Sequence, residues 1–285
     1  NPIGTACGFA VNIKKARFFF TPGVPRELFL MLQDEIIPRL LELSGENIVT
    51  KLKTFHSYGI GESRADTLLK DVVDLSPDKI VKLGFQAHFP QLETKLSIKG
   101  KSLSQIEKNL KPVEDEVRKT LGNYIFAEDK NTLEGSIFEL LQKINQTISI
   151  CEYLTWGNIG KRISTIDKKG DQLKFSISSN NLGSLVDKFK LSKNKPSIEL
   201  NEEIASKVRE SYMTDYSLSV MIDYQAENEA DTYITMSSES DTKSRVGKFI
   251  GDEHRITLGS VEMALDCVRR YFNNLPFDEK SDFER

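Results

Sequence analysis

Hydrophobic and polar positions along the chain follow two periods, and these periods predict which segments are helices and which are strands. Apolar stripes spaced three or four positions apart are typical of amphipathic helices. They lie at 25–43, 64–73, 104–121, 132–145, 157–163, 201–212 and 259–273. Short apolar runs between turn residues are typical of β-strands. They lie at 9–13, 17–20, 50–55, 81–85, 92–98, 147–151, 173–178, 217–222 and 232–236.

The order of these elements predicts a multidomain protein that combines α/β and α+β domains. Residues 46–123 are expected to form a small α+β domain, residues 131–277 an α/β three-layer domain, and residues 278–285 a solvated charged tail. Residues 1–45 hold only two strands and one helix, which cannot make an independently stable sheet. We therefore expect a preceding segment to be missing, and we expect local instability along an unpaired sheet edge in residues 1–45.

Within the first segment, Phe18 to Phe20 predict a buried strand, and the helix that follows carries an apolar face. That face consists of Leu28, Met31, Leu32, Ile36 and Leu40. Pro38 is expected to kink this helix, and Gly45 is expected to end it.

Composition and charge place the chain among ordinary globular proteins. Its 285 residues are 39% hydrophobic and 28% charged, with a formal net charge of -3, which argues against a generally basic nucleic-acid-binding surface. No apolar run approaches the roughly 18 residues of a membrane span, and no secretory leader is present, so a cytoplasmic location is expected. The cysteines, Cys7, Cys151 and Cys267, lack metal-ligand spacing and are predicted to be reduced thiols.

The stretch from Thr21 to Glu27 has the chemistry of a rigid strand-to-helix junction. Pro22 and Pro25 restrict the backbone, Gly23 permits a close approach, and Arg26 adds a positive charge at a helix start. Free amides at a helix N-terminus favour phosphate or carboxylate ligands. Spacing alone favours the simpler interpretation, a connection without a ligand.

Two motifs at the start of the chain carry a family resemblance. Asn1-Pro2-x-Gly4-Thr5-Ala6-x-Gly8-Phe9, followed by 20–27, resembles the competence/damage-inducible CinA family, most closely the CinA-like proteins of gamma-proteobacteria. The resemblance implies that residues 1–45 end a molybdopterin-binding-like α/β domain that hydrolyses ADP-ribose with a divalent metal. The residues that would border the nucleotide pocket are Asn1, Gly4, Thr5, Gly8, Pro22, Gly23, Pro25, Arg26 and Glu27.

The family's metal-binding segment would lie upstream of Asn1. No cofactor is therefore expected in this chain, a divalent metal would bind only together with the missing part, and pyrophosphatase activity is expected to be absent.

The middle segment resembles the KH-like domain of the same family, through residues 54–63 and Leu83-Gly84-Phe85. A nucleic-acid-binding KH domain clamps the backbone with a GXXG loop, whereas this chain has Gly59-Ile60-Gly61. The sequence therefore favours a structural or dimerisation module over RNA binding. His56 and His88 lack a ligand set around them, so we interpret them as packing or surface residues and not as metal ligands.

The segment 148–157 resembles the catalytic strand-turn-helix of the family's C-terminal nicotinamide-nucleotide amidohydrolase domain. The family's nucleophilic serine falls at Tyr153, and the first glycine of its turn falls at Trp156. A phenol with a pKa of about 10 does not replace an activated serine hydroxyl. Glu152 and Thr155 remain as remnants, and we interpret them with Trp156 as a packing cluster rather than a site.

Two further features of the amidohydrolase pattern are absent from the sequence. The tyrosine and lysine expected near 178–183 are missing, and the glycine-rich loop expected near 221–226 has no glycine. Without glycine a backbone cannot approach a phosphate as closely. The acidic pairs Glu62/Asp66 and Asp223/Glu227 are not favoured as acid–base groups, because close acidic pairs are common on solvated surfaces.

These features predict a protein of pyridine-nucleotide metabolism whose C-terminal domain has lost deamidase activity and has a structural or regulatory role. One alternative is an active amidohydrolase that uses Glu152 or Thr155, and another is a nucleotide-sensing or dimerisation module without catalysis. The expected partners are a nucleotide, either ADP-ribose or nicotinamide mononucleotide, and a second copy of the chain. Nucleic acids and membranes are not expected partners.

Overall fold

The computed structural model describes residues 1–44, 48–192 and 195–284, and the chain divides into two compact units. One unit comprises Asn1–Thr50 with Lys99–Glu107, and the other comprises Lys51–Ile98 with Lys108–Arg285. Among the described residues, no helix has both the length and the apolar character needed to cross a membrane.

In the first unit, a β-hairpin is followed by an interrupted helix. Strands β1 (Phe9–Ile13) and β2 (Ala16–Phe20) are antiparallel. The predicted helix is present in three pieces, which are α1 (Pro25–Met31), a π-helical turn (Leu32–Ile36) and α2 (Ile37–Ser44). The π-helical turn ends two residues before Pro38, whose ring would clash with the carbonyl one α-helical turn earlier in a regular α-helix, and the predicted kink itself stays a prediction. Gly45, the predicted helix end, lies outside the described residues.

Burial in this unit differs from the sequence prediction. The prediction of a buried strand at 18–20 was wrong, because Phe18 and Phe20 are each 45% exposed. No residue of either strand of the hairpin is buried, and Phe19 alone is partly buried, so neither face of this two-stranded sheet is covered by the described part of the unit. On the helix, Met31 and Ile36 are buried as predicted, whereas Leu40 is 46% exposed. The local instability expected for residues 1–45 stays a prediction.

The segment between Val49 and Glu128 forms an antiparallel sheet with helices, as the α+β pattern predicts. Its described strands follow the order β4-β5-β3-β6. These strands are β3 (Val49–Tyr58), β4 (Val81–His88), β5 (Gln91–Gly100) and β6 (Ile125–Glu128), and the α-helices are α3 (Glu62–Leu69) and α4 (Leu103–Leu121). Short 3₁₀ helices lie at Val72–Leu75 and Gly122–Tyr124. Strand β6 was not predicted, because its four residues are too few to show a period.

The remainder of the chain folds around a mixed sheet of the order β11-β10-β9-β7-β8. Its strands are β7 (Ile148–Tyr153), β8 (Leu173–Ser179), β9 (Tyr216–Ala226), β10 (Glu229–Ser237) and β11 (Thr242–Ile250). The helices are α5 (Leu133–Ile144), α6 (Asn158–Ile166), α7 (Leu182–Phe189), α8 (Ile198–Tyr212) and α9 (Glu253–Phe272). Strand β7 is parallel to both β8 and β9, whereas β10 is antiparallel to its neighbours.

Helices cover both faces of this sheet, which confirms the predicted three-layer arrangement. Alternate residues of β7 face different layers, as the pleat requires: Ile148 and Ile150 pack in the same cluster as α5, α6 and α9, whereas Cys151 packs with α7 and α8. Helix α7 and strand β11 were not predicted from the sequence. The structure places α7 in the stretch where the sequence comparison expected a tyrosine and a lysine.

A partly exposed network of ion pairs joins β3, α4 and β6 and makes stability depend on pH. Glu128 accepts two hydrogen bonds from Arg118, at 2.7 and 2.8 Å, and lies 2.5 Å from Lys53 Nζ. The Arg118 hydrogen bond is the main factor that lowers the pKa of Glu128 to about 2. The carboxylate therefore stabilises the fold above its unfolded-state pKa of 4.5, and this stabilisation is lost as the pH falls towards 2.

We expect Glu128→Gln to lower the free energy of unfolding by about 1–2 kcal/mol at neutral pH, a value discounted for partial exposure. The difference from the wild type should shrink as the pH falls from 4.5 towards 2. Urea denaturation at a series of pH values measures it. Asp66→Asn, at an exposed position of α3, is the control, and an equally pH-dependent loss in that variant would contradict the assignment to Glu128.

The prediction of a solvated tail at 278–285 was wrong for Ser281 and Glu284, whereas Asp278, Lys280 and Asp282 are exposed. Ser281 is only 6% exposed, and the side chain of Glu284 is 3% exposed. Asp282 donates its backbone N–H to Gly59 O at 3.0 Å, which fixes the segment beside the end of β3. The charged composition predicted a solvated segment, but the carboxylates of Asp282 and Glu284 each accept hydrogen bonds from specific donors in the folded chain.

Candidate functional site

The turn that follows β7 lies at the edge of the sheet where ligands usually bind in α/β proteins, beyond the carboxyl ends of parallel strands. Tyr153, the last residue of β7, is opposite Ser179 on β8 and Met221 on β9. The structure thus places the ends of β7 and β8 beside the middle of β9, and these are the three segments in which the family resemblance led us to expect catalytic groups.

The Glu152 carboxylate is fully enclosed in this turn. The residue is 0% exposed, and its oxygens accept hydrogen bonds from Thr155 Oγ1 at 2.6 Å, Ile159 N at 3.1 Å and Gly160 N at 2.9 Å. Burial raises the pKa of Glu152, while these hydrogen bonds act in the opposite direction. The carboxylate therefore satisfies amide donors that the first turn of α6 would otherwise leave unpaired.

The first turn of α6 approaches the sheet closely because residue 160 is glycine. A Cβ at Gly160 would lie 2.1 Å from Ser176 Oγ on β8. This close approach lets the amide of Gly160 reach Glu152, so both remnants predicted from the sequence, Glu152 and Thr155, belong to one hydrogen-bonded unit. The interpretation of Glu152, Thr155 and Trp156 as a packing cluster stays a prediction, since Glu152 and Thr155 are hydrogen-bonded to each other whereas Trp156 is 55% exposed.

The backbone of the turn adopts left-handed conformations at Leu154, Trp156 and Gly157, with φ values of 64°, 56° and 72°. For residues with a Cβ this conformation costs roughly 1–2 kcal/mol. Trp156, where the family resemblance led us to expect glycine, thus adopts a conformation that glycine would adopt freely. The indole is 55% exposed.

Tyr153 is the residue at which the family resemblance led us to expect a serine. Burial raises the pKa of its phenol, and the negative charge of Asp223 raises it further. The phenol is therefore protonated at neutral pH, and it is a weaker nucleophile than its free form, which already ionises only near pH 10.

The two downstream segments in which the family resemblance predicted further catalytic features, residues 178–183 and 221–226, belong to helix and strand elements or their caps. Asn181 caps α7, since its Oδ1 accepts a hydrogen bond from Ser184 N at 3.2 Å, and Ser179 Oγ donates to Asn181 O at 3.0 Å. Residues 221–226 continue strand β9 and pair with β10. A strand directs its amides into the ladder, so this stretch does not offer the concave group of N–H donors that holds a phosphate.

A cavity of about 460 Å³ lies beside the turn. It is lined by Trp156, Asn158, Asp252, Glu253, His254 and Thr257. Within the described parts of the chain, no group of three or more His, Cys, Asp or Glu residues is arranged to hold a metal ion.

The second predicted site lies in the first unit, where the loop 1–8 meets the start of α1. Asn1 Nδ2 donates to Glu27 Oε2 at 2.9 Å and to Ala6 O at 2.7 Å. A Cβ at Gly4 would lie 2.3 Å from atoms of the Glu27 carboxylate, and one at Gly8 would lie 2.0 Å from a methionine methyl. The structure therefore brings Asn1, Gly4 and Glu27 together.

The other predicted residues of this site are distributed along the junction. Pro22 is buried and Pro25 begins α1, whereas Thr5, Gly23 and Arg26 are exposed. Glu27 already supplies a negative charge in the first turn of α1. Binding of a nucleotide at these residues stays a prediction.

Two polar groupings were missed by the sequence analysis because their members are far apart in the chain. One joins Arg162 to Glu262 at 2.7 Å and to Glu134 at 2.5 Å. The other joins Asp282, near the end of the chain, to Arg64 at 2.7 Å. The two phenylalanines at 277 and 283, within an otherwise charged segment, were the available signal for the second grouping.

Comparisons with known proteins point to one family. Residues 52–127 match the family described as "Damage-inducible protein CinA KH domain". The chain is 28% identical over 282 residues to a "CinA-like protein" of Geotalea daltonii, with 95% of this chain and 68% of that protein covered. It is 39% identical over 160 residues to a "CinA-like protein" of Shewanella sediminis, with 56% and 36% covered. The expected closeness to gamma-proteobacterial members is only loosely supported.

Among solved structures, a competence-damaged protein (CinA) superfamily protein from Enterobacter cloacae is 13% identical. The match covers 50% of this chain and 95% of that chain, with a TM-score of 0.46, and it carries no argument about the site. The sequence relatives and the KH-domain match agree, and on that basis the chain belongs to the CinA-like protein family.

Proposed function

We propose that the C-terminal α/β domain of this CinA-like protein has no amidohydrolase activity and serves a structural or regulatory role in a protein of pyridine-nucleotide metabolism. One observation carries the proposal. The Glu152 carboxylate, a remnant of the family's catalytic segment, is buried and hydrogen-bonded to Thr155 and to two amides of α6. In this state it is a structural group and is not available to accept a proton from a substrate.

The chemistry around this carboxylate supports the same conclusion. Nucleophilic catalysis needs a nucleophile within hydrogen-bonding reach of an activating base. The nucleophile position carries the phenol of Tyr153, whose pKa is raised by burial. The position expected for a lysine and a tyrosine is the capped start of α7. A bound substrate would therefore meet neither an activated hydroxyl nor a nearby amine.

Ammonia release from nicotinamide mononucleotide tests the proposal. The chain should release no ammonia above the blank, beside a family member that keeps the serine, lysine and tyrosine as the positive control. Circular dichroism of the same sample establishes that the chain is folded. Turnover that disappears in both Thr155→Ala and Glu152→Gln would overturn the proposal and would support the alternative, an active amidohydrolase.

Binding measurements on the same sample separate the non-catalytic roles. Saturable binding of ADP-ribose or nicotinamide mononucleotide without turnover would indicate a nucleotide sensor, whereas concentration-dependent dimerisation without ligand binding would indicate an assembly module. The proposal includes a cytoplasmic homodimer without a resident cofactor and without nucleic-acid or membrane partners. A divalent metal would bind only together with further parts of the protein.

A further inference from the structure

A buried carboxylate, that of Glu262, lies where the C-terminal α/β domain meets the KH-like domain inside the larger unit. Glu262 belongs to α9, and its side chain is only 3% exposed. Its Oε1 accepts a hydrogen bond from Gln91 Nε2 at 2.5 Å, and Gln91 begins strand β5 of the KH-like domain. Its Oε2 accepts from Arg162 Nη1 of α6 at 2.7 Å. The two oxygens of one carboxylate thus bind partners in two different domains.

The cluster around Glu262 contains more negative than positive groups. Arg162 also donates from its Nε to Glu134 Oε1 of α5 at 2.5 Å, so a single guanidinium serves two carboxylates. Gln91, the partner from the KH-like domain, brings no charge. An ionised carboxylate without a cation of its own is unfavourable in a region that excludes water, whereas a proton on Glu262 makes the cluster neutral.

The other charged groups near Glu262 do not supply the missing cation. Asp266 lies one turn further along α9 and is itself paired with Arg269 and Arg270. His88 lies at the neighbouring position of the β4–β5 hairpin, and within the described part of the chain no ion pair joins it to Glu262. The balance of charge at Glu262 is therefore set by the neighbours on α5 and α6.

The electrostatics of Glu262 agree with this geometry. Burial is the main factor that raises the pKa of Glu262, and the negative charge of Glu134 raises it further. Arg162 and Gln91 act in the opposite direction.

Gln91 is suited to a partner that exists both with and without a proton. A carboxamide carries two N–H donors and one oxygen acceptor. It donates to the ionised carboxylate, and after its end group turns over, its oxygen accepts the proton of the neutral carboxyl group. The hydrogen bond between the domains is thus available in both states of Glu262, and the states differ in the charge that is buried with it.

We propose that Glu262 is a proton-linked contact between the α/β domain and the KH-like domain. The joined domains are most stable when Glu262 carries a proton, because the cluster is then neutral. When the proton leaves, the joined domains lose stability relative to a state in which the carboxylate reaches water. Because the pKa is raised in the folded chain, this stabilisation is fully present below the unfolded-state value of 4.5 and is lost as the pH rises through the folded-state pKa.

Carbon-13 NMR of the full chain, labelled at the glutamate δ-carbon, reports the proton on Glu262 directly. The carboxyl resonance that is absent from Glu262→Gln belongs to Glu262. Its titration midpoint should lie above 4.5 by about one pH unit or more. A midpoint at or below 4.5 would overturn the proposal.

Gln91→Met tests whether the KH-like domain takes part. Methionine is similar in size but donates no hydrogen bond, so the ionised form of Glu262 loses a partner and the midpoint should rise by about 0.5 pH unit or more. Gln86→Met, at an exposed position of β4, is the matched control and should leave the midpoint unchanged. An unchanged midpoint in Gln91→Met, with a native circular dichroism spectrum, would overturn the contact between the domains.

Glu134→Gln tests the sharing of one guanidinium by two carboxylates. The midpoint of Glu262 should fall in this variant, because Arg162 then serves a single carboxylate. A midpoint that stays the same or rises would show that the shared cation does not set the proton affinity of Glu262.

The same proton should appear in the stability of the whole chain. As the pH rises above 4.5, the unfolding equilibrium constant of the wild type should increase relative to that of Glu262→Gln, by about tenfold for each unit by which the Glu262 midpoint exceeds 4.5. His88→Gln should retain the pH dependence of the wild type. A ratio that does not change with pH, or a pH dependence that disappears in His88→Gln, would overturn the assignment to Glu262.

Discussion

Replacing Asp266 by asparagine is expected to lower the free energy of unfolding by about 3–4 kcal/mol, the largest effect that we expect from a single substitution in this chain. Asp266 binds two guanidinium groups at once. Its Oδ1 lies 2.6 Å from Arg269 and its Oδ2 lies 2.6 Å from Arg270, and the three side chains are 1%, 5% and 2% exposed. The neutral amide would leave two cations in a region that excludes water.

The position of this triad explains why its loss should be felt beyond α9. Arg269 also donates to Asn123 O at 2.8 Å, in the segment that leads into β6. Arg270 also pairs with Glu279 of the C-terminal segment 276–284. Asp266 thus orients the two arginine side chains through which α9 contacts the KH-like domain and the C-terminal segment 276–284. Its removal weakens both attachments together.

Guanidinium denaturation of the purified variants measures this effect. Asp187→Asn, at an exposed position of α7, is the control and should change the free energy of unfolding by less than about 0.5 kcal/mol. Glu279→Gln should have an intermediate effect, because it removes only the outer partner of Arg270. A loss below about 1 kcal/mol for Asp266→Asn would show that the triad contributes little, which contradicts the expectation for a buried charge with unpaired partners.

Replacing Glu152 by alanine is expected to lower the free energy of unfolding by about 2–3 kcal/mol. The substitution leaves Thr155 Oγ1 and the amides of Ile159 and Gly160 without their acceptor. Each unsatisfied buried donor costs about 1 kcal/mol or more, and release of the desolvated carboxylate offsets part of the total. The raised pKa of Glu152 is the sign of that desolvation.

The sign of this change separates two roles for Glu152. Catalytic groups are often held at a cost to stability, so their removal is commonly neutral or stabilising. A structural carboxylate gives the opposite result. Thermal and urea denaturation of Glu152→Ala beside Asp223→Ala, a partly exposed acid near the same sheet edge, makes the comparison. An increase in stability for Glu152→Ala would contradict the structural role and would return Glu152 to the list of candidate catalytic residues.

The candidate site was predictable where it depends on residue identity at a single position. The substitution of serine by Tyr153 and the absence of glycine from residues 221–226 are visible in the sequence. What Glu152 does is not visible there, because its partners on α6 are brought to it by the turn and by the close packing that Gly160 permits. The sequence identified Glu152 as a residue of the family pattern, and the hydrogen bonds in the structure indicate what its carboxylate does.

The sequence alone determined the order of the main helices and strands, the two sheet-forming segments and the three-layer arrangement around β7. These features follow from local periodicity, which depends on the chain's own burial pattern. Only the tertiary structure showed that the C-terminal segment 276–284 packs against the KH-like domain and that the Asp282 carboxylate binds the N-terminus of α3. Only the tertiary structure also showed that Asp266 pairs with two arginines. Docking of Asp282 joins residues 221 positions apart. Contacts between such distant residues depend on loop closure and on complementary packing, and the periodicity of apolar residues along the sequence does not predict either of them.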